Sequence, residues 1–146
     1  MIGMLLSTLA VMMAVPAAFD LYNGHPDWKV FLLSGGATLF VGIAIALTCR
    51  SGGGRMMTRQ AFVMTTLSWI ALVFFASLPL KFSELNLSFT DAIFEAMSGF
   101  TTTGSTVIGN LDRAPSGVLI WRALLQWLGG IGIIVMAIAV LPMLRV

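Results

Sequence analysis

The sequence predicts an all-α integral membrane protein with four transmembrane helices and one short re-entrant helix. Of its 146 residues, 58% are hydrophobic and only 10% are charged, and the mean hydropathy is +0.98. Soluble domains carry about 25% charged residues, so this composition indicates a chain that lies in a lipid bilayer. The eight basic residues are scattered and form no basic stripe, which argues against a nucleic acid as partner.

Four apolar segments are long enough to cross a bilayer, and they cover residues 2–19, 30–48, 61–80 and 117–144. A hydrocarbon core about 30 Å thick needs about 20 apolar residues in a helix. For the first segment a secretory signal peptide is the competing interpretation, because AVPAAF resembles a cleavage site. No Lys or Arg precedes this apolar run, however, and signal peptides begin with a basic region. A helix that stays in the membrane is therefore favoured.

Loop charges predict the orientation of these spans. The loop of residues 50–59, RSGGGRMMTR, holds three arginines and no acidic residue, whereas the connections at 20–29 and 81–91 mix acidic residues with lysine. Because cytoplasmic loops carry an excess of Lys and Arg, we expect the arginine loop and both termini on the cytoplasmic side. Arg145, after the fourth span, agrees with this orientation.

The stretch of residues 89–109, FTDAIFEAMSGFTTTGSTVIG, is too short and too polar to cross the bilayer. It predicts a helix from Thr90 or Asp91 to about Gly99, followed by an extended loop rich in Thr, Gly and Ser. A helix of about ten residues rises roughly 15 Å, about half of the hydrocarbon core. Non-helical backbone is tolerated at membrane depth only where protein buries it or where it lines a watery path. The stretch therefore predicts a pore, entered from outside.

The loop offers backbone carbonyls and small hydroxyls without any formal charge, from Thr101, Thr102, Thr103, Gly104, Ser105 and Thr106. Rows of such oxygens replace the hydration shell of a weakly hydrated cation in potassium channel filters. The preceding helix would aim the negative end of its dipole at the same point. TTTGST alone is a weak signal, but span, short helix, loop and span together favour a path for a monovalent cation.

FTDAIFEAMSGFTTTGSTVIG, with the LIWRALLQWLGGIGIIVMAIAVLPML that follows, closely resembles the first pore repeat of TrkH-type potassium uptake proteins. That family is grouped with the KtrB and HKT transporters. The two preceding spans resemble the extra N-terminal helix pair of the TrkH branch. The resemblance thus implies a helix pair with the arginine loop over residues 1–58 and a first span–pore loop–span repeat over residues 59–146.

By the same resemblance, Thr102, Thr103, Gly104 and Ser105 fall where the family places its selectivity filter, with Thr101 and Thr106 beside it. The implied function is potassium uptake through the bacterial inner (cytoplasmic) membrane, with potassium as the transported substrate and without a cofactor. A cytosolic nucleotide-binding subunit of the TrkA kind is the implied gating partner.

Members of the family carry four such repeats in one chain, and this sequence holds one. A single loop cannot surround an ion. We therefore expect the sequence to be the N-terminal portion of a longer transporter that supplies the remaining pore repeats. The alternative is a subunit that forms a homo-oligomer in which four copies close one filter.

Two charged residues are candidates to support the filter. Glu95 lies on the short helix one turn after Asp91, and an ionisable group inside a membrane protein needs a partner. We expect Glu95 to accept hydrogen bonds from loop amides or to pair with Arg122, while an Arg122 that extends to the outer interface is equally compatible with the sequence. Asp91 is expected to interact with the helix N-terminus. Glycines 129, 130 and 132 favour close helix packing over gating.

Other chemistry is less well supported. Cys49 is the chain's one cysteine and His25 its one histidine, which excludes an internal disulfide and argues against His-rich metal or triad chemistry. An intramembrane serine protease built on Ser105 would need a base on a neighbouring span, so no enzyme activity is predicted. A truncated, non-transporting fragment or a membrane assembly partner is the second function class that the sequence leaves open.

Overall fold

The computed structural model describes residues 2–48 and 58–140. The predictions for Cys49, for the part of the arginine loop between 50 and 57, and for Arg145 lie outside the described residues. Within these two ranges the regular structure is helical throughout, and this confirms the predicted all-α class. The structure contains α1 (Ile2–Met12), α2 (Ala14–Tyr22), α3 (Trp28–Thr48), α4 (Thr58–Phe82), α5 (Phe89–Phe100), a short 3-10 helix (Leu111–Arg113) and α6 (Ser116–Val140).

Four helical stretches are long and apolar enough to cross a membrane, in agreement with the four predicted spans. They are Ile2–Tyr22, Trp28–Thr48, Phe62–Phe82 and Ser116–Ile134. The first combines α1 and α2, which are interrupted at Met13. Pro16 explains the interruption, because its ring nitrogen cannot donate to the carbonyl of Met12 and its ring crowds that carbonyl.

Small residues allow α1 and α3 to lie side by side. A Cβ on Gly3 would lie 2.5 Å from the carbonyl oxygen of Gly42, and a Cβ on Gly42 would lie 2.9 Å from Oγ of Ser7. That hydroxyl bonds to the carbonyl of Gly3 within its own helix, at 2.8 Å. Helices in lipid associate through close backbone contact of this kind.

The N-terminal helices and the later helices share one hydrophobic core. Trp121 of α6 is fully buried, its ring lies edge-on to Phe31 of α3 with centroids 6.2 Å apart, and its Nε1 donates to the carbonyl of Ala76 in α4 at 3.0 Å. Other buried side chains of this core are Leu9, Met13, Ala17, Val73, Leu80, Ala92, Ala96, Phe100, Val118 and Leu125. The division of the chain at residue 58 stays a prediction.

A buried carboxylate joins α2 to the start of α6. Asp20 is fully buried, and its Oδ1 accepts hydrogen bonds from the amide of Gly117 at 2.7 Å and from the hydroxyl of Ser116 at 3.4 Å. Asn23 adds a bond from its Nδ2 to the same hydroxyl oxygen, at 3.2 Å. The first amides of a helix lack partners within the helix and carry partial positive charge. Asp20 therefore caps α6 from another helix.

We predict that Gly117→Ala destabilises the protein through a clash with Asp20. A Cβ at residue 117 would overlap Oδ2 of Asp20, and overpacking of this kind costs about 1–3 kcal/mol. The free energy of unfolding in mixed micelles is the measurement. Gly36→Ala on α3 is the control, because no described atom lies within 4 Å of a Cβ at that position.

Asp20→Ala should also destabilise, by about 1–3 kcal/mol, because it leaves the Gly117 amide buried without its acceptor. In the double variant with Gly117→Ala the clash is absent. The double variant should therefore be destabilised by less than the sum of the two single variants. Strict additivity would mean that the two residues do not contact each other.

Candidate functional site

The polar loop of residues 101–107 begins at the C-terminal end of α5, whose N-terminal end is firmly capped. Ser88 adopts an extended backbone, and its Oγ accepts from the amide of Asp91 at 3.1 Å while donating to Oδ2 of Asp91 at 2.7 Å. This reciprocal cap and the acidic charge in the first turn both stabilise a helix start. The cap also sets the start of α5 at Phe89, one or two residues before the predicted start.

The backbone amides at the start of the loop turn back onto α5. The amide of Thr102 donates to the carbonyl of Gly99 at 3.0 Å, and the amide of Thr103 donates to the carbonyl of Ser98 at 3.0 Å. The amide of Gly104 shares the latter acceptor at 3.4 Å. These bonds occupy carbonyls that a helix end otherwise leaves without partners.

The direction of the amides fixes the direction of the carbonyls. A trans peptide is planar, so the C=O of one residue points opposite to the N–H of the next. Because the amides of Thr102, Thr103 and Gly104 face α5, the carbonyl oxygens of Thr101, Thr102 and Thr103 point away from it. None of these three oxygens accepts a hydrogen bond from another described residue. The loop thus presents a row of carbonyl oxygens on its side away from α5.

Two residues of the loop have positive φ angles, 57° for Thr102 and 76° for Gly104. Glycine adopts this conformation at little cost, as expected for Gly104. A β-branched residue there is a genuine outlier, and such strain costs about 1–3 kcal/mol. The contacts around the loop must offset this cost at Thr102.

Hydroxyl groups add to the fixation of the loop. Oγ of Ser98 on α5 donates to the carbonyl oxygen of Ser105 at 2.7 Å, so that carbonyl faces the helix, unlike those of the three threonines before it. Oγ1 of Thr101 donates to the carbonyl of Met97 at 2.9 Å and lies 2.8 Å from Oγ1 of Thr103. The loop is therefore held by hydrogen bonds on the side that faces α5, while residues 101–107 are exposed on the other side.

Glu95 of α5 connects the second half of the loop to α6. Its side chain is fully buried; Oε1 accepts from the hydroxyl of Thr106 at 2.5 Å and from the amide of Val107 at 2.6 Å. Oε2 accepts from Nε of Arg122 at 2.8 Å. Bonds to ionised groups are shorter and stronger than those between neutral groups, so one carboxylate ties three segments together.

Close backbone contacts set the distance between α5 and α6. A Cβ on Gly129 would overlap the carbonyl of Phe100, the last residue of α5, and a Cβ on Gly99 would lie 2.9 Å from Cβ of Leu125. Nε2 of Gln126 would lie 3.7 Å from a Cβ on Gly104. The side of α6 that carries Arg122, Gln126 and Gly129 thus faces the end of α5 and the loop.

The structure brings all of the residues proposed from the sequence into one region. Thr101 to Thr106 form the loop, and Glu95 and Arg122 meet behind it; their roles in an ion filter stay predictions. Sequence reasoning missed Ser98 and Gln126. The spacing of Gln126 and Gly129 from Arg122, four and seven residues, was the available signal, since residues so spaced share one face of a helix.

Comparison with known proteins shows what the whole chain resembles. The family model described as TrkH, cation transport protein, matches residues 28–145. The potassium uptake protein TrkI of Halomonas elongata is 42% identical over an alignment 146 positions long, which covers 94% of this chain and 28% of that protein. The potassium uptake protein TrkH of Escherichia coli is 37% identical, with 99% of this chain and 30% of that protein aligned.

The crystal structure of the potassium transporter TrkH from Vibrio parahaemolyticus superimposes with a TM-score of 0.89 at 38% sequence identity. The similarity covers 96% of this chain and 30% of that one. The chain thus spans less than a third of the length of the relatives that it matches.

We predict that Glu95→Ala lowers the free energy of unfolding by about 3–5 kcal/mol, the cost of removing one partner from a buried ion pair. Asp91→Ala, one turn earlier on α5, is the matched control. It should cost less, about 0.5–2 kcal/mol, because it loses the exposed bond from Ser88 and the interaction with the helix dipole. Unfolding of both variants in mixed micelles provides the comparison. Equal costs at the two positions would contradict the importance of the Glu95 contacts.

We also predict that Gly129→Ala displaces α6 from the end of α5. The added methyl group would overlap a backbone carbonyl, and a backbone group cannot rotate away as a side chain can. We therefore expect the free energy of unfolding to fall by about 1–3 kcal/mol or more. Gly132→Ala on the same helix is the control, because no described atom lies within 4 Å of its Cβ position. A Gly129→Ala variant as stable as the control would show that the helices separate at no cost.

Proposed function

This chain belongs to the TrkH family of cation transport proteins, and we propose that it supplies one ion-lining segment of a potassium uptake pathway. Cation transport is not an enzyme class, and the family match covers 118 of the 146 residues, from 28 to 145. The relatives are named potassium uptake proteins. Since the chain covers less than a third of their length, potassium as the substrate of this protein is part of the proposal.

The observation that carries the proposal is the row of carbonyl oxygens of Thr101, Thr102 and Thr103. Their neighbouring amides are held by α5, so the oxygens are free to replace water around a weakly hydrated cation. Gly104, with its φ of 76°, lets the chain turn directly after this row. Ser105 and Thr106 complete the proposed filter segment.

Glu95 and Arg122 are proposed to support the filter rather than to bind the ion. Oε1 of Glu95 is occupied by the hydroxyl of Thr106 and the amide of Val107, and Oε2 by Arg122. A carboxylate so engaged acts as a fixed acceptor that holds the loop at a set distance from α5. Arg122 also balances its charge, which leaves the ion path without a net charge from this pair.

One loop provides only one side of an ion path, so we propose that further pore repeats, or further copies of the chain, complete the ring. The protein would be a multi-pass component of the bacterial cytoplasmic membrane, with the arginine loop and both termini in the cytoplasm. Residues 1–58 would form the accessory helix pair and residues 59–146 the first repeat. A TrkA-like nucleotide-binding subunit is the proposed regulatory partner.

The test replaces the matching 30% of the Escherichia coli TrkH with this chain and measures growth at limiting potassium in a strain without its own uptake systems. We expect the chimera to restore growth and Gly104→Asp to abolish it, because aspartate at positive φ is strained and adds a charge beside the carbonyl row. Gly109→Ala is the control, since Gly109 needs no positive φ and has no described atom within 4 Å of its Cβ position.

This chain expressed alone is expected to give no growth. Growth of cells with the chain alone, lost in Gly104→Asp, would mean that copies of it assemble a filter. A chimera that inserts in the membrane but does not restore growth would contradict the proposed filter segment. In that case a membrane assembly role becomes the better explanation.

A further inference from the structure

We infer that His25, Asp27 and Glu84 form a binding site for a divalent transition-metal ion of the Zn²⁺ class. One imidazole nitrogen and one oxygen from each carboxylate all lie within 4.8 Å of one another. His25 and Asp27 lie in the connection between α2 and α3, whereas Glu84 lies in the turn between α4 and α5. The site is separate from the loop of residues 101–107, and the inference does not depend on which ion is transported.

The distance between the imidazole and the Glu84 carboxylate is close to that between two ligands of a bound metal. Zn²⁺ binds nitrogen and oxygen ligands at about 2.1 Å, which places two ligands of a tetrahedral site about 3.4 Å apart. Nε2 of His25 lies 3.8 Å from Oε2 of Glu84. The two side chains are 32% and 56% exposed, so small rotations bring them together around an ion, and a water molecule can fill a fourth position.

Asp27 is the fixed ligand of this cluster. It is 2% exposed, and its two carboxylate oxygens accept from the amide of Glu84 at 3.2 and 3.3 Å. Hydrogen bonds of this kind orient metal ligands in known sites. Each oxygen can accept further, because a carboxylate oxygen has two lone pairs.

The electrostatic environment of the cluster favours a cation. The carboxylates of Asp27 and Glu84 are neighbours, and like charges repel each other. A bound divalent cation would offset the charges of these two neighbouring carboxylates.

The ion would join two segments that are far apart in sequence. Glu84 is four residues before Ser88, the cap of α5, and Lys81 holds the same turn by donating to the carbonyl of Leu87 at 2.9 Å. A metal ion between Glu84 and the α2–α3 connection would therefore brace the start of α5 against the N-terminal helices. By the predicted orientation this end of the protein faces the outside of the cell, where the ion is accessible.

The test is calorimetric titration of Zn²⁺ into the purified chain of 146 residues after chelator treatment, with Cys49→Ser in every sample to remove the one thiol. We expect saturable binding of one ion per chain. His25→Ala and Glu84→Gln should each weaken binding by more than about tenfold. Even the loss of a residue that only hydrogen-bonds to a metal ligand has an effect of about that size. Both residues are partly exposed, so the variants should keep the helical circular dichroism of the parent.

Asp112→Asn is the matched control, because Asp112 is an exposed carboxylate outside the cluster, and it should leave the affinity unchanged. Visible absorption of bound Co²⁺ provides an independent readout and should be lost in His25→Ala. Absence of saturable binding would overturn the inference. So would Zn²⁺ binding that His25→Ala and Glu84→Gln leave intact, or binding that Mg²⁺, a poor partner for imidazole, competes away at equal concentration.

Discussion

The buried carboxylate of Glu95 is the constraint on which the candidate site depends. A charge in an apolar interior is tolerated only when donors satisfy it, and leaving it unpaired costs several kcal/mol. Here the donors come from the loop and from α6, through Val107, Thr106 and Arg122. Because these donors must converge on one carboxylate, the register of the loop and the rotation of α6 about its axis are fixed together.

The same principle operates at the start of α6, where Asp20 caps the helix from α2. Three contacts along α6 then determine its position: the cap at Gly117, the ion pair at Arg122, and the contact of Gly129 with the carbonyl of Phe100. The first of these comes from the N-terminal helix pair. In physical terms that pair is part of the scaffold that places α6 against the loop, whether or not it is a separate unit in evolution.

Composition and local pattern predicted the four spans and the short helix, because length, apolarity and the Thr- and Gly-rich loop are properties of contiguous sequence. The contact between Glu95 and Arg122 could be predicted from the sequence as one alternative. A buried charge needs a partner because leaving it unpaired is costly, and the chain offers few charged residues. The cap at Gly117 could not, because Asp20 is 97 residues away and resembles an ordinary loop acid. The positive φ of Thr102 has no sequence signal, since it results from the bonds that turn the following amides onto α5.

Those bonds explain how a strained loop can keep its shape. Thr102 bears the conformational cost, and the bonds from the amides of Thr102 and Thr103 to α5, with the Ser98 hydroxyl on Ser105, offset it. All of them are made on the helix side of the loop. The orientation of the carbonyl row on the opposite side therefore follows from bonds within the protein. In the proposed filter role, an entering cation would meet oxygens that are already oriented. Preorganised dipoles of this kind spare the ion the cost of ordering its own ligands, and this property is what an ion path requires of one of its walls.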